Sequence, residues 1–168
     1  AMHKMARDIA TRIQEELNVS AEQILFSDHH LSHAASAFFC SPFQDAAILT
    51  ADGVGEWSTT TVGVGRASWD GRAASDIRVF RELRFPHSIG LLYSAFTAFL
   101  GFEVNEGEYK VMGMAPYGRP RYMDEVWKLV RLTDQGGFRL EMDYFSYHYS
   151  THTSFERKFE RLFGPPRN

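Results

Sequence analysis

The chain has 168 residues, 44% of them hydrophobic and 23% charged, which is typical of globular proteins and excludes disordered and fibrous classes. Its formal net charge of -3 lacks the basic excess that attracts nucleic-acid phosphates, so we expect no nucleic-acid partner. The longest apolar run starts at Ile89 and has 14 residues, too few to span a bilayer, so we expect no membrane partner.

Cysteine usage and the N-terminus favour a cytoplasmic protein. Cys40 is the single cysteine, so an intrachain disulfide is impossible and a reducing compartment is expected. The first residues are charged and show no secretory apolar stretch. Ala1 before Met2 is typical of a cleaved tag, and we therefore expect an excised piece of a longer protein.

The first 40 residues predict two helices around a short strand. The apolar run 23–26 predicts a buried strand, and Asp28 or Ser27 can cap a helix that continues to about Cys40. Before them, apolar residues recur four apart among charged ones, which predicts an amphipathic helix through Met5, Ile9, Ile13 and Leu17.

Three strands and an apolar helix are predicted next. The first strand is a continuous apolar run, which is typical of a strand covered on both faces. The second is rich in β-branched residues, and the third alternates apolar with charged residues. The helix is apolar nearly all round and is expected to be central. In chain order these elements occupy 46–51, 58–65, 77–85 and 88–101.

The remaining chain predicts one more helix, over 123–132, and then an irregular aromatic extension over 136–168. The element order predicts an α/β domain in which a mixed sheet is flanked by helices. Three antiparallel strands followed by a helix also begin each half of a ribonuclease H-like fold, so a partial domain of that kind is expected.

The segment SDHHLSHAASAFF, from Ser27, carries the main functional signal because it places three histidines within five positions. On a helix, His29 and His33 face the same way, about 6 Å apart along the axis. Two imidazoles suit iron, zinc, nickel or cobalt better than magnesium or calcium. Asp52, at the carboxyl end of a predicted strand, can supply a third ligand. His30 points elsewhere, so a packing or supporting role is expected for it.

A histidine pair at this spacing is also found as a hydrogen-bonded pair without metal, and the sequence leaves that alternative open. A second pair, His148 and His152, has the same spacing in the segment HYSTH. Its aromatic surroundings are typical of a strand or an irregular segment, where the rings would lie about 13 Å apart. We therefore expect surface or packing roles for the second pair.

The turn DGVGEW and a lysine downstream add a second kind of chemistry. Backbone amides of Gly53 and Gly55 can converge on an anion, although a plain hairpin also uses Asp-Gly. Glu56, in the same turn, completes this candidate cofactor site. Lys110 can hold a phosphate or a carbonyl oxygen as a point charge, and the alternative is an exposed salt bridge with a neighbouring glutamate.

Four segments within residues 22–122 together closely resemble the NodU/CmcH family of O-carbamoyltransferases, which includes nodulation-factor, cephamycin and aminoglycoside carbamoyltransferases. They are HHLSHAASAFF, SPFQDAAILTADGVGEWST, FPHSIGLLYSAFTAFLGF and GEYKVMGMAPYGRP. The resemblance implies a domain related to actin and sugar kinases, with two ribonuclease H-like halves. It also implies that iron(II), or another divalent transition metal, is bound by His29, His33 and Asp52.

In proteins of this family, the resemblance further implies, a separate domain makes carbamoyl adenylate from carbamoyl phosphate and ATP. The metal-bearing domain then passes the carbamoyl group to a hydroxyl of a small-molecule acceptor. Asp52 and Lys110 would be catalytic, and the Gly53 and Gly55 amides would cradle the adenylate phosphate.

Family members run to several hundred residues and include parts that this chain lacks. We therefore expect residues 1–168 to be a single fragment of the N-terminal domain, inactive without the missing domains or another chain. The alternative from another class is an inactive binding or assembly module of the same fold, which a homodimer would support. A small magnesium-dependent hydrolase fits less well, because the candidate ligands are mostly imidazoles.

Overall fold

The computed structural model describes the backbone of residues 2–167 and the side chains of residues 8–167. Its helices are α1 (Met2–Leu17), α2 (His29–Phe38), α3 (Ile89–Phe99), α4 (Glu108–Met114), α5 (Met123–Trp127) and α6 (Arg157–Phe163). Its strands are β1 (Asp45–Gly55), β2 (Ser58–Arg66), β3 (Asp76–Arg84), β4 (Val130–Thr133) and β5 (Gly137–Leu140). Both helices and strands are present, as an α/β domain requires. Within these residues, no helix combines the length and the apolar character needed to cross a bilayer.

The first three strands form one antiparallel sheet in the order β1-β2-β3. A tight hairpin joins β1 to β2, where Gly55 pairs with Ser58. The last two strands form a separate antiparallel hairpin. The prediction of a mixed sheet is therefore wrong for the described residues. Consecutive strands joined by short connections pair antiparallel, and a parallel neighbour needs a strand from elsewhere in the chain.

The strand predicted over 23–26 could have supplied a parallel neighbour for the sheet, but this strand does not form. Residues 21–23 make a single 3-10 turn instead. Leu25 is 92% exposed and Phe26 is also exposed, so the segment is not buried either. A strand gains stability from the hydrogen bonds of a neighbour, and none of the described strands lies beside this segment.

Strand β1 is covered on one face only. Ile48 and Thr50 are buried beneath α2, whereas Leu49 between them is 71% exposed. The continuous apolar run was predicted to be covered on both faces, and within the described residues this prediction is wrong. Side chains alternate across a strand, so one packed helix buries only every second residue.

Two apolar clusters hold the fold together. The smaller one joins α2 to the sheet through Ala34, Phe38, Ile48 and Ala67. The larger one gathers α3, the β4-β5 hairpin and α6, and its members are Leu92, Ala95, Phe99, Leu129, Leu140, Phe145 and Phe159. As predicted, α3 is central, because its residues lie in the larger cluster and its N-terminus meets β1.

The structure differs from the sequence prediction beyond α4. The helix predicted over 123–132 ends at Trp127, and the chain continues into β4. Leu129 is fully buried and β4 pairs with β5, so tertiary contacts override local helix propensity here. The segment 136–168, predicted as irregular, contains β5 and α6 and supplies buried Phe145 and Phe159 to the core.

His87 joins the sheet to the second hairpin at the corner before α3. Its Nδ1 accepts a hydrogen bond from the Leu140 amide at 3.2 Å, and its carbonyl accepts one from the Thr59 hydroxyl at 2.6 Å. Burial penalises the charged imidazole and Arg139 repels it, so the pKa of His87 lies below its ordinary value, although Glu141 opposes the shift. His87 thus links the corner before α3 to both the sheet and the second hairpin.

We predict that His87 makes folding sensitive to mild acid. The unfolded chain binds a proton on this imidazole at a higher pH than the folded chain does, so stability falls as the pH drops below about 6.5. His87→Asn keeps an acceptor for Leu140 without titrating, and it should lose less stability between pH 7.5 and 5.5. We expect the two proteins to differ in this loss of unfolding free energy by about 0.5 to 1.5 kcal/mol, the contribution of one hydrogen bond.

Urea unfolding at several pH values measures this difference. His152→Asn, at an exposed histidine, is the control for the substitution itself. Equal acid sensitivity of wild type and His87→Asn would contradict the prediction.

Candidate metal centre

Helix α2 carries two histidines past the carboxyl end of β1. One face of α2 is buried against the sheet, and His30, Ala34 and Phe38 recur on it four residues apart. His29 and His33 also lie four apart, but on an adjacent, exposed face. Asp52 lies where β1 passes this face, because the strand continues to Gly55. The packing of α2 therefore determines where the two imidazoles meet the carboxylate.

The structure brings together the three residues that the sequence predicted as metal ligands. His29 Nε2 lies 2.5 Å from Asp52 Oδ2 and 3.0 Å from His33 Nε2. His33 Nε2 lies 3.4 Å from the same carboxylate oxygen. One ligand atom from each residue lies within 4.8 Å of the others, and no other group of this kind exists among the described side chains of residues 8–167.

Two of these three distances fit ligands of a shared divalent ion. Bonds of about 2.1 Å from an ion to nitrogen and oxygen ligands place neighbouring ligand atoms about 3.0 to 3.4 Å apart. Two of the three separations have these values, and the third is the length of a short hydrogen bond between His29 and Asp52. Two imidazoles and one carboxylate are ligands that iron, zinc and cobalt accept. The donor set therefore suits a transition metal better than calcium or magnesium.

Asp52 is held as an anion. Partial burial disfavours its charged form, but hydrogen bonds from His29, the Gly53 amide and His33 outweigh burial and keep the pKa of Asp52 below its ordinary value. The Gly53 amide donates to Oδ1 at 2.6 Å, which leaves Oδ2 directed at the histidines. At neutral pH the carboxylate thus supplies the negative charge that attracts a cation.

The N-terminus of α3 braces the backbone behind Asp52. The buried Ser88 hydroxyl lies 2.9 Å from the Asp52 carbonyl and 2.7 Å from the Gly53 carbonyl, and it accepts from the Leu91 amide at 3.0 Å. A Cβ at Gly90 would lie 2.5 Å from the Gly53 nitrogen. Only a glycine permits α3 to approach the Asp52-Gly53 peptide this closely.

A second close approach fixes His29. Gly55 is buried at the end of β1, and a Cβ there would lie 2.2 Å from His29 Cδ2 and 2.6 Å from Cγ. The imidazole therefore lies directly over the backbone of Gly55. The strand thus closes one side of the ring, while the rest of the His29 side chain is exposed.

In the turn that was predicted to bind an anion, Gly53 and Gly55 already contact the candidate ligands and do not form a free phosphate-binding cradle. The Gly53 amide donates to Asp52, and Gly55 makes room for His29. Glu56, with φ of 61°, occupies the hairpin turn. Glu56 also lines an open hollow of 530 Å³ beside the histidines, together with Ser27, Ser32 and Ser36. An adenylate phosphate at this turn stays a prediction.

The described contacts of Lys110 are with aromatic rings. It is exposed on α4, and its ammonium group is 5.8 Å from the ring centroids of both Phe102 and Tyr109. Within residues 2–167 it makes no hydrogen bond or ion pair with the histidines, Asp52 or a neighbouring glutamate. Its catalytic role therefore stays a prediction.

The second histidine pair is not part of this centre. His148 is half-buried and its ring packs against Tyr147 and Tyr149, with centroids 6.2 and 4.6 Å apart. His152 is exposed. These are the packing and surface positions that the aromatic surroundings predicted.

Sequence reasoning did not find the residues that support the centre. Ser88 was recognised only as the start of α3, and its side chain also contacts the carbonyls of Asp52 and Gly53. Gly90 and Thr50 carried no recognised signal. A serine before an apolar helix indicates a cap, but contacts with a strand 35 residues away cannot be read from local pattern.

Comparison with known proteins places these residues in a recognised family. The sequence profile of the carbamoyltransferase N-terminus matches residues 3–168. An uncharacterized protein of Synechocystis is 52% identical over 145 residues, which are 86% of this chain and 22% of that protein.

Two nodulation proteins are also similar. NolNO of Sinorhizobium fredii is 40% identical over 126 residues, 74% of this chain and 17% of its own length. NolO of Bradyrhizobium diazoefficiens is 36% identical over 117 residues, 69% of this chain and 20% of its own length. The chain thus spans roughly a fifth of the curated relatives it matches.

We predict that Gly55→Ala displaces His29 and weakens binding of Co²⁺ at least about tenfold, the lower end of losses seen when a ligand's support is removed. The matched control is Gly53→Ala in the same strand, since its Cβ would meet only Leu91, at 3.9 Å. Isothermal titration calorimetry measures both affinities. Equal affinities for the two variants would show that Gly55 does not orient His29.

Proposed function

Because the chain belongs to the carbamoyltransferase N-terminus family, we propose that it is the metal-binding part of an enzyme that transfers a carbamoyl group to a hydroxyl group. The observation that carries this proposal is the convergence of His29, His33 and Asp52. The chain covers only part of its relatives, so the proposed enzyme includes further domains or another chain.

We propose that the fold is a partial ribonuclease H-like domain. Support comes from three consecutive antiparallel strands, β1 to β3, followed by the buried helix α3. Leu49 on β1 and Phe80 on β3 are exposed, so the sheet has apolar side chains for further elements to cover. The proposed remainder of the enzyme would provide that cover.

A divalent ion held by the three ligands, iron(II) or another transition metal, would supply Lewis acidity to the carbamoyl carbonyl or to the acceptor hydroxyl. The residues of this chain have their own roles. Asp52 remains ionised and offers Oδ2, while its other oxygen is occupied by the Gly53 amide. His29 and His33 each direct Nε2 to the same point.

Polar groups around the histidines would bind the substrates. The open hollow there has a volume of 530 Å³, within the usual range of small-molecule sites. Ser27, Ser32 and Ser36 line it, and their hydroxyls, which donate to backbone carbonyls, can each still accept a hydrogen bond from a hydroxylated acceptor. We propose that the donor is carbamoyl adenylate, made from carbamoyl phosphate and ATP by another domain. Its phosphate would lie near Gly53, Gly55 and Glu56, and Lys110 would contribute a positive charge.

We predict that the chain binds about one Co²⁺ or Fe²⁺ ion and that His29→Ala, His33→Ala and Asp52→Ala each weaken binding by more than about 100-fold. This loss exceeds the about 10- to 100-fold cost of removing a group that only supports a ligand. His152→Ala, at an exposed histidine outside the centre, should bind like wild type. Metal analysis after equilibrium dialysis measures the stoichiometry. Full binding by His29→Ala, or lost binding in His152→Ala, would refute the assignment.

We predict that the 168-residue chain alone transfers no label from radiolabelled carbamoyl phosphate, in the presence of ATP, to a panel of hydroxylated small molecules. A longer polypeptide in which this chain continues into the other domains should transfer it, and His33→Ala in that polypeptide should abolish transfer. Turnover by the short chain would contradict the need for further domains. Undiminished transfer by the longer variant would contradict the role of His33.

A further inference from the structure

The buried histidine between the two candidate ligands has a hydrogen-bond network of its own. His30 is 5% exposed, although it adjoins His29 in sequence. Its Nδ1 lies 2.7 Å from the Thr50 hydroxyl, and its Nε2 lies 2.9 Å from the Ser58 carbonyl. The Thr50 hydroxyl lies in turn 2.6 Å from that of Thr61. One imidazole thus connects α2 to both β1 and β2.

When the His30 ring is neutral, the direction of each of its hydrogen bonds is defined. A carbonyl only accepts, so Nε2 must carry the proton that faces Ser58. Nδ1 then has a free lone pair, and the Thr50 hydroxyl donates to it. Thr61 can donate to the oxygen of Thr50. Every polar atom of the buried ring has a partner, as burial of an imidazole requires.

The hydrogen bonds of His30 restrict the rotation of α2 against the sheet more than apolar packing alone does. Ala34 and Phe38 hold the later turns of α2 against the sheet, but both contacts are non-directional. His30 lies in the first turn, where its two hydrogen bonds have required directions. Its ring centroid is 5.5 Å from that of His29 and 6.1 Å from that of His33. A rotation of α2 that broke these bonds would move both candidate ligands away from Asp52.

We infer that His30 is a positioning residue, which fixes the rotation of α2 through Thr50 and the Ser58 carbonyl and thereby keeps His29 and His33 directed at Asp52. The inference rests on the proposed metal site, since it assigns to His30 the preorganisation of that site. It assigns no contact between His30 and the ion.

The chain offers a closely matched pair of variants to test this inference. Thr50→Val preserves side-chain shape but removes the donor to His30. Thr60→Val makes the same replacement at another buried threonine of the sheet, whose hydroxyl has no hydrogen-bond partner within the described residues. We expect Thr50→Val to bind Co²⁺ about 10- to 100-fold more weakly than wild type, the usual range for loss of a group that orients a ligand. Thr60→Val should stay within about twofold of wild type, because it breaks no such bond.

Substitutions of His30 provide a second measurement. His30→Gln keeps an amide donor for Ser58 and should retain more affinity than His30→Leu, which has no polar atom. Thermal unfolding of each variant separates loss of fold from loss of orientation. Equal Co²⁺ affinity of wild type and folded Thr50→Val would overturn the inference.

A measurement on the metal-free protein distinguishes failure of the inference about His30 from failure of the proposed metal site. Two-bond proton-nitrogen NMR spectra of the metal-free protein should show His30 as the Nε2-protonated tautomer with a slowly exchanging proton. The opposite tautomer, or rapid averaging of both, would overturn the inference. Absence of Co²⁺ binding by wild type, with the expected tautomer present, would instead refute the proposed metal site on which the inference depends.

Discussion

Three candidate ligand atoms, from two imidazoles and one carboxylate, lie within 4.8 Å of one another near the end of β1. Such an arrangement is unfavourable unless protons or a cation lie between these three atoms, because their lone pairs repel one another. The surrounding structure maintains it from two sides. Gly55 lies beneath His29, and the Ser88 hydroxyl holds the backbone at Asp52. The local fold is thus organised around a site whose ligands approach each other closely.

The centre and the core are coupled through the same elements. Helix α2 buries one face in the smaller apolar cluster and carries the candidate ligands on an adjacent face. Helix α3 contributes most of its buried residues to the larger cluster, while its N-terminus contacts the peptide after Asp52. Each apolar cluster therefore fixes the position of one part of the site. Loss of packing in either cluster would move a ligand without removing it.

Local sequence pattern was sufficient for α2, β1 and the three candidate ligands. The spacing of His29 and His33 defines a helical face, and Asp52 follows directly from its place in an apolar strand. Local pattern was insufficient where the structure of a segment, or the role of a residue, depends on contacts with residues distant in sequence. The run 23–26 looks like a strand but has no neighbouring strand in the described residues. Residues 130–132 were predicted as the end of a helix but pair with β5. The roles of Ser88 and Thr50 depend on contacts that only the folded chain creates.

The position at which a transition metal binds in the folded protein tests the proposed centre most directly. Anomalous diffraction from crystals equilibrated with Co²⁺ locates the ion independently of activity. We predict one strong peak about 2.0 to 2.2 Å from His29 Nε2, His33 Nε2 and a carboxylate oxygen of Asp52. A peak beside His148 or His152, or imidazoles of α2 turned away from Asp52 in crystals that contain the ion, would contradict the account.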